Sequence, residues 1–329
     1  MSQKKQTPRA ERRQFLKGAA ALGAGYWVAG GVSRAQENGA NDRIRFACIG
    51  IGGKGSSDSG DAARHGDVVA ICDTDSTRLK GAANRFPEAK SYTNYREMFK
   101  DMGSEFDAVT VSTPDHNHAA ATMLALKDGK HAFTQKPLTH SIYEARMLGK
   151  VARENKLATQ MGNQGTSNSS LRKSAAIIQS GALGKVTEVH VWTNRPVWPQ
   201  GGDRPKEQAV PEFLDWENWI GPAPMRPYGP GYHPFSWRGW WDFGTGALGD
   251  MACHTFNMPF MALNLRDPIS VEAETSGHNK ESYPKWSVIT FQFPADMKAK
   301  RDAVKVVWYD GGKRPSPELF DGGGVSKTG

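Results

Sequence analysis

Cysteine is scarce in this sequence: three in 329 residues, at Cys48, Cys72 and Cys253. An odd count at wide spacing excludes a disulfide framework and a cysteine-rich zinc site. Cys48 and Cys72 sit inside apolar runs, where a small thiol packs as a hydrophobe. Long apolar runs are missing too. AAALGAGYWVAGGV near the N-terminus is the nearest to one, and it is too short and glycine-rich for a membrane span. No internal repeat is visible. A charge surplus is absent from most of the chain despite a formal net charge of +8. Seven of the 42 basic and one of the 34 acidic residues fall in 1–35, leaving 35 against 33 elsewhere. So balanced a body carries no electrostatic footprint for nucleic acid.

The first 35 residues read as a targeting peptide. ERRQFLKG precedes the apolar stretch and SRA follows it, with cleavage expected near Ala35–Gln36. Arg12–Arg13 with Phe15, Leu16 and Lys17 resembles a twin-arginine signal. The expectation is export to the periplasm or beyond, with no stable membrane insertion once the signal is removed.

From 41 to 165, short β-rich runs alternate with helical stretches. The runs are IRFACIGI, DVVAIC, DAVTVST, HAFTQ and LATQMG; the stretches include 76–86, 117–128 and 141–154. In the last, Ile142, Ala145, Leu148, Val151 and Ala152 repeat near 3.6, behind a Ser141/Glu144 capping box. This alternation predicts an α/β Rossmann domain with a doubly wound parallel sheet. Over 166–329 the pattern changes to a helix at 168–180 and four longer strands, predicting a mostly antiparallel sheet in an α+β substrate domain. Between the first two of those strands runs an aperiodic stretch, 195–241. Seven tryptophans fall in 192–241, which argues against disorder.

FACIGIGGKGSS holds the strongest local signal. Gly50, Gly52 and Gly55 match G-x-G-x-x-G after a strand, with Gly53 in the same turn, and Asp73 ends the next strand-like run 23 residues after Gly50. The glycines permit a tight turn and close approach of backbone to a pyrophosphate, and the acid suits ribose hydroxyls. Bound NAD is the expectation, in preference to NADP. The carboxyl ends of the parallel strands, where such a cofactor lies, carry STPDHNH, TQKPLTH and MGNQGTS. Lys136 sits on one of these exits. In GTGALGDMACH, Asp250 and His254 lie four apart, so on a helix they share a face, with Asn257 beside them. A histidine beside a carboxylate suits proton transfer near neutral pH, and equally a salt-bridged structural role. His116-x-His118 or Asp250-x-x-x-His254 could supply metal ligands, but neither has an evident third partner, and no metal is expected.

TQKP and GTGALGDMACH together resemble the Gfo/Idh/MocA family of NAD(P)-dependent oxidoreductases, over residues 41 to about 312. The resemblance implies that Lys136 lies beside nicotinamide and the substrate hydroxyl, that Asp250 orients substrate and that His254 is the acid/base. It implies that Thr113, Pro114, His118, Gln135 and Asn163 line the nicotinamide side. Gln135 stands where the family usually carries glutamate, removing a charge that would pair with Lys136. The four strand candidates are fewer than the family's second domain usually has, so a truncated C-terminus is expected. The implied reaction is hydride transfer at a secondary alcohol of a sugar or cyclitol. Asn163, Arg195, Trp198, Trp240, Trp241 and Asn257 would bind the carbohydrate, with Trp192, Trp237, Arg204 and Arg238 as further flat faces and donors. Two alternatives stay open: a redox-assisted glycosidase with tightly bound NAD, and a non-catalytic sugar- or NAD-binding protein. A homo-oligomer is a further possibility of the resemblance.

Overall fold

The computed structural model describes residues 43–299 and 301–329; the signal-like segment 1–35 lies outside the described residues. Its first part follows the alternation in the sequence: β1 (Ile44–Ile49), α1 (Lys54–His65), β2 (Gly66–Cys72), α2 (Ser76–Arg85), β3 (Lys90–Tyr92), α3 (Tyr95–Met102), β4 (Ala108–Val111), α4 (Asp115–Lys127), β5 (His131–Gln135), α5 (Ile142–Glu154) and β6 (Thr159–Gly162). The strands pair in parallel in the order β3-β2-β1-β4-β5-β6. Period-two alternation sends neighbouring side chains to opposite faces of this sheet. Ala47, Ile49, Ala70 and Cys72 join a core with Met98, Phe99, Phe106 and Leu148. Cys48 and Ile71 point the other way, to Ala62 and Ala82. Helices on both faces leave only the strand ends open. The chain turns one way from β1 and returns to β4 on its other side, which opens a crevice at their carboxyl ends.

Helix starts are fixed by short polar side chains. Asp75 accepts from the Thr77 and Arg78 amides at the start of α2. Ser141 and Glu144 form the expected reciprocal box at α5. β3 and α3 were not evident from periodicity, because a three-residue strand is too short to show one.

The second part holds α6 (Ser169–Gln179), β7 (Glu188–Trp192), α7 (Trp216–Ile220), α8 (Gly246–Thr255), α9 (Asn257–Leu263), β8 (Ser270–Thr275), β9 (Ser287–Phe293) and β10 (Val304–Tyr309). Its sheet, ordered β7-β10-β9-β8, is mixed. β9 runs antiparallel to β8 and β10, but β7 pairs parallel to β10. The long connection after β7 permits that crossover. Ala175, Ala262, Leu263, Phe293 and Val306 pack α6 and α9 against the sheet.

The aperiodic stretch is itself a core. Trp216, Trp219, Tyr232, Trp237, Trp240 and Phe243 bury one another, with the Trp216 and Trp219 rings stacked at 4.8 Å. The stretch is laid onto the first sheet by backbone hydrogen bonds: Ser76 N–H to Phe213 O at 2.8 Å and Asp215 N–H to Thr74 O at 2.9 Å.

Phe106 is fully buried and meets Phe99 edge-on at 5.1 Å. Phe106→Ala is expected to lower the unfolding free energy by about 3–5 kcal/mol through the cavity it leaves. Ile142→Ala, at a side chain 75% exposed, should change it by less than about 0.5 kcal/mol. Urea denaturation followed by circular dichroism compares the two.

Candidate active site

The turn after β1 is shaped by what its glycines lack. Gly50 has φ +76°, and a Cβ there would lie 2.7 Å from the Ser112 carbonyl. A Cβ on Gly55 would lie 1.8 Å from Gly50 O, so α1 can approach β1 only with glycine at that position. Gly53 opens α1 at φ +52°, no side chain caps the helix, and the space beside Gly53 is open. A glycine turn with uncapped helix amides fits a pyrophosphate. Asp73 closes the same corner. Its carboxylate accepts from Ile51 N–H at 2.9 Å and Asp75 N–H at 3.0 Å. Burial raises its pKa, with those amides and Arg78 acting in the opposite sense.

Beyond the turn, three strand exits are laced together. His118 is buried on α4, with one ring nitrogen 2.7 Å from Pro137 O and the other 2.8 Å from Thr113 O. Gln135 ends β5. Its amide donates to the buried Asp58 at 2.9 Å, and its oxygen accepts from Lys136 N–H at 3.3 Å. Asp58 also takes Ser112 Oγ at 2.7 Å and Lys54 Nζ at 2.6 Å. The buried carboxylate therefore comes from α1, and the neutral amide at 135 is its donor. This gives a physical reason for glutamine at that position.

Lys136 follows on a cis peptide bond to Pro137. Its ammonium reaches α8, donating to Asp250 Oδ1 at 2.6 Å and to Asp250 O at 2.8 Å. The side chains are 15% and 12% exposed, so this pair is largely withdrawn from water. Arg238 Nε lies 3.6 Å from the same carboxylate oxygen. One turn along α8, His254 faces the same cleft. Its pKa is lowered, because burial and the Lys136 charge oppose the protonated ring while Asp250 favours it. The ring forms no hydrogen bond among the described residues, so a neutral imidazole remains available for a proton.

These groups share one cleft of about 490 Å³. Gly50, Gly52, Gly53, Asp73, Thr113, Pro114, His118, Gln135, Lys136, Arg195, Trp198, Asp250 and His254 all line it. Other candidates do not. Gly55 is consumed in helix packing. Asn163 donates to Cys253 O at 2.5 Å. Trp240 is 6% exposed in the aromatic core. Trp241 stacks at the surface on Tyr283. Asn257 turns to Thr166 Oγ1, because the helix breaks at Phe256 ahead of Pro259, whose ring cannot continue it. His116 meets the carbonyls of Phe243 and Trp219, and His118 those of Pro137 and Thr113, so both nitrogens of each ring are engaged by different backbone carbonyls.

The sequence reading missed Asp58, Arg78, Asp115 and His233. Asp58 could have been found from its i,i+4 spacing to Lys54. His233 could not, since 158 residues separate it from the Asp75 carboxylate it meets at 3.0 Å. That contact brings the loop 233–238 over the cofactor end of the cleft.

Gln135→Glu would set two carboxylates against each other in a buried place. It is expected to destabilise the protein by about 3 kcal/mol at neutral pH. Adding Asp58→Asn should restore most of that loss, and a thermal-unfolding double-mutant cycle measures the coupling.

Models of one oxidoreductase family match both parts: its NAD-binding Rossmann fold over residues 44–163 and its C-terminal alpha/beta domain over 167–308. An inositol 2-dehydrogenase of Salmonella paratyphi B is 29% identical over 126 residues, 38% of this chain and 37% of that protein. A glycosyl hydrolase family 109 protein of Shewanella pealeana is 30% identical over 116 residues, 31% of this chain and 25% of that protein. The chain thus spans well under half the length of these curated relatives. The WlbA dehydrogenase of Bordetella pertussis, solved with NADH and UDP-GlcNAcA, shares the fold at a TM-score of 0.59. It is 18% identical, with 80% of this chain and 71% of that one covered. With a glycine turn built for a dinucleotide, a Lys–Asp pair across the strand ends and family models over both parts, the chain belongs to the Gfo/Idh/MocA oxidoreductase family.

Proposed function

We propose that this protein transfers hydride between NAD and a secondary alcohol of a sugar or cyclitol. The observation that carries this reading is the Lys136–Asp250 pair, set beside His254 in the cleft that also contains the glycine turn. Bound NAD would supply the hydride acceptor. Gly50, Gly52, Gly53 and Asp73 would hold its pyrophosphate and ribose, and Thr113 and Pro114 would face its nicotinamide end.

The chain's own residues supply the proton chemistry. An ammonium has three donors. Two of those on Lys136 are taken by Asp250, which leaves the third for the alcohol oxygen. Asp250 fixes the direction of that donor and offsets the charge. Neutral His254 takes the hydroxyl proton, and in reduction it gives the proton back. Such proton transfer typically contributes about 10²–10⁴-fold.

A second reading is supported by the hydrogen bond from His233 to Asp75, which roofs the cofactor end. A retained cofactor suits a glycosidase that oxidises a sugar transiently, eliminates its aglycone and returns the hydride. Sugar turnover without net NADH release would favour it. The twin-arginine-like segment supports export in a folded, cofactor-loaded state, and a fusion of residues 1–40 to a reporter tests that route.

In the oxidation direction, activity needs His254 neutral. Because its pKa lies below the ordinary imidazole value, kcat/KM should stay high as pH falls past that value and decline only below it. Lys136→Met removes the repelling charge, so the acid limb of the surviving activity should move to a higher pH. His254→Ala should lower kcat/KM about 10²–10⁴-fold and abolish that limb. Activity equal to the parent in both variants would refute the assignment.

A further inference from the structure

Arg195 stands apart from the other cations of the cleft. Arg78 has Asp75 at 3.4 Å, Arg238 has Asp250 at 3.6 Å, Lys54 has Asp58 at 2.6 Å and Lys136 has Asp250 at 2.6 Å. No carboxylate pairs with Arg195 among the described residues. Its one side-chain partner is the neutral Asn194 oxygen, at 2.6 Å from Nη1. Its backbone is fixed at both ends, its N–H donating to Thr193 Oγ1 at 3.3 Å and its carbonyl accepting from Gly311 N–H at 2.8 Å. The side chain is partly buried and lines the cleft near Trp198.

Lys136, Arg195 and Arg238 line the cleft together with Asp250 and the buried Asp115, and the first and last of these cations are both turned to Asp250. Asp115 is already committed to Thr245 Oγ1 at 2.7 Å, and burial raises its pKa, with the charges of His118, Arg238 and Lys136 opposing that. His254 contributes no charge when neutral. Arg195 is therefore left without a carboxylate in a cleft that partly withdraws it from water. A guanidinium offers a planar pair of donors that matches an oxyanion.

We propose that the substrate is an anionic sugar, whose oxyanion, a carboxylate or a phosphate ester, is bound by Arg195. This rests on the sugar-alcohol reading above and narrows it. The oxyanion would satisfy the one unpaired cation while the alcohol sits at Lys136 and His254. A neutral sugar would leave Arg195 uncompensated.

Calorimetry on the NAD-loaded protein, with a hexuronate, a hexose 6-phosphate and the matching neutral hexose, tests this apart from turnover. At least one of the two acids is expected to bind ten times or more tighter than the neutral hexose, and whichever it is identifies the oxyanion. Arg195→Ala should erase that preference and leave NAD affinity unchanged, and Arg195→Lys should restore part of it. Equal binding of acidic and neutral sugars, binding of none, or an Arg195→Ala loss that falls on NAD instead would each overturn the proposal. An anion preference without hydride transfer would retain the site and refute the redox reading. Turnover of neutral hexose alone would do the reverse.

Discussion

The ion pair between Lys136 and Asp250 is the constraint on which the site depends. One partner leaves a parallel strand and the other sits on a helix of the second part, 114 residues later in the chain. Largely withdrawn from water, each charge needs the other, since an isolated ion there would be neutralised or drive rearrangement. The pair therefore joins the two parts at the point where the chemistry is required. It also adds to the electrostatics of His254, whose pKa is lowered first by burial and then by the lysine's charge, with the carboxylate acting the other way.

Much of the fold was legible because period and punctuation agree. Cys48 and Ile71 alternate with Ala47, Ile49, Ala70 and Cys72, and that alternation requires cover on both faces. The site was legible wherever a local motif fixes backbone shape: the glycine turn, Asp73, Lys136, and the four-residue step from Asp250 to His254. It was illegible where partners come from far apart. Asp58 holds Gln135 across 77 residues, and no local pattern encodes that. The tryptophans misled for a different reason. An aromatic ring suits a sugar and a core equally well, and only packing tells which. Trp216, Trp219, Trp237 and Trp240 went to the core; of the rings expected to meet sugar, Trp198 and Trp237 border the cleft.

That aromatic core gives the long connection its own stability, so it can be docked as a body. Through Phe213, Asp215, His233 and Phe243 it meets the β2–α2 turn and the start of α4. An excursion from the second sheet thus forms a wall of a crevice belonging to the first.

The ring of His118 spans the carbonyls that follow β4 and β5. Two neighbouring strand exits are thereby clamped to one rigid plate within α4. The peptide plane ahead of Pro114 and the one after Pro137 are then tied to the same ring. Mechanically, the floor of the pocket is a single stiff frame, so adjustment to differently shaped guests falls to the opposite wall.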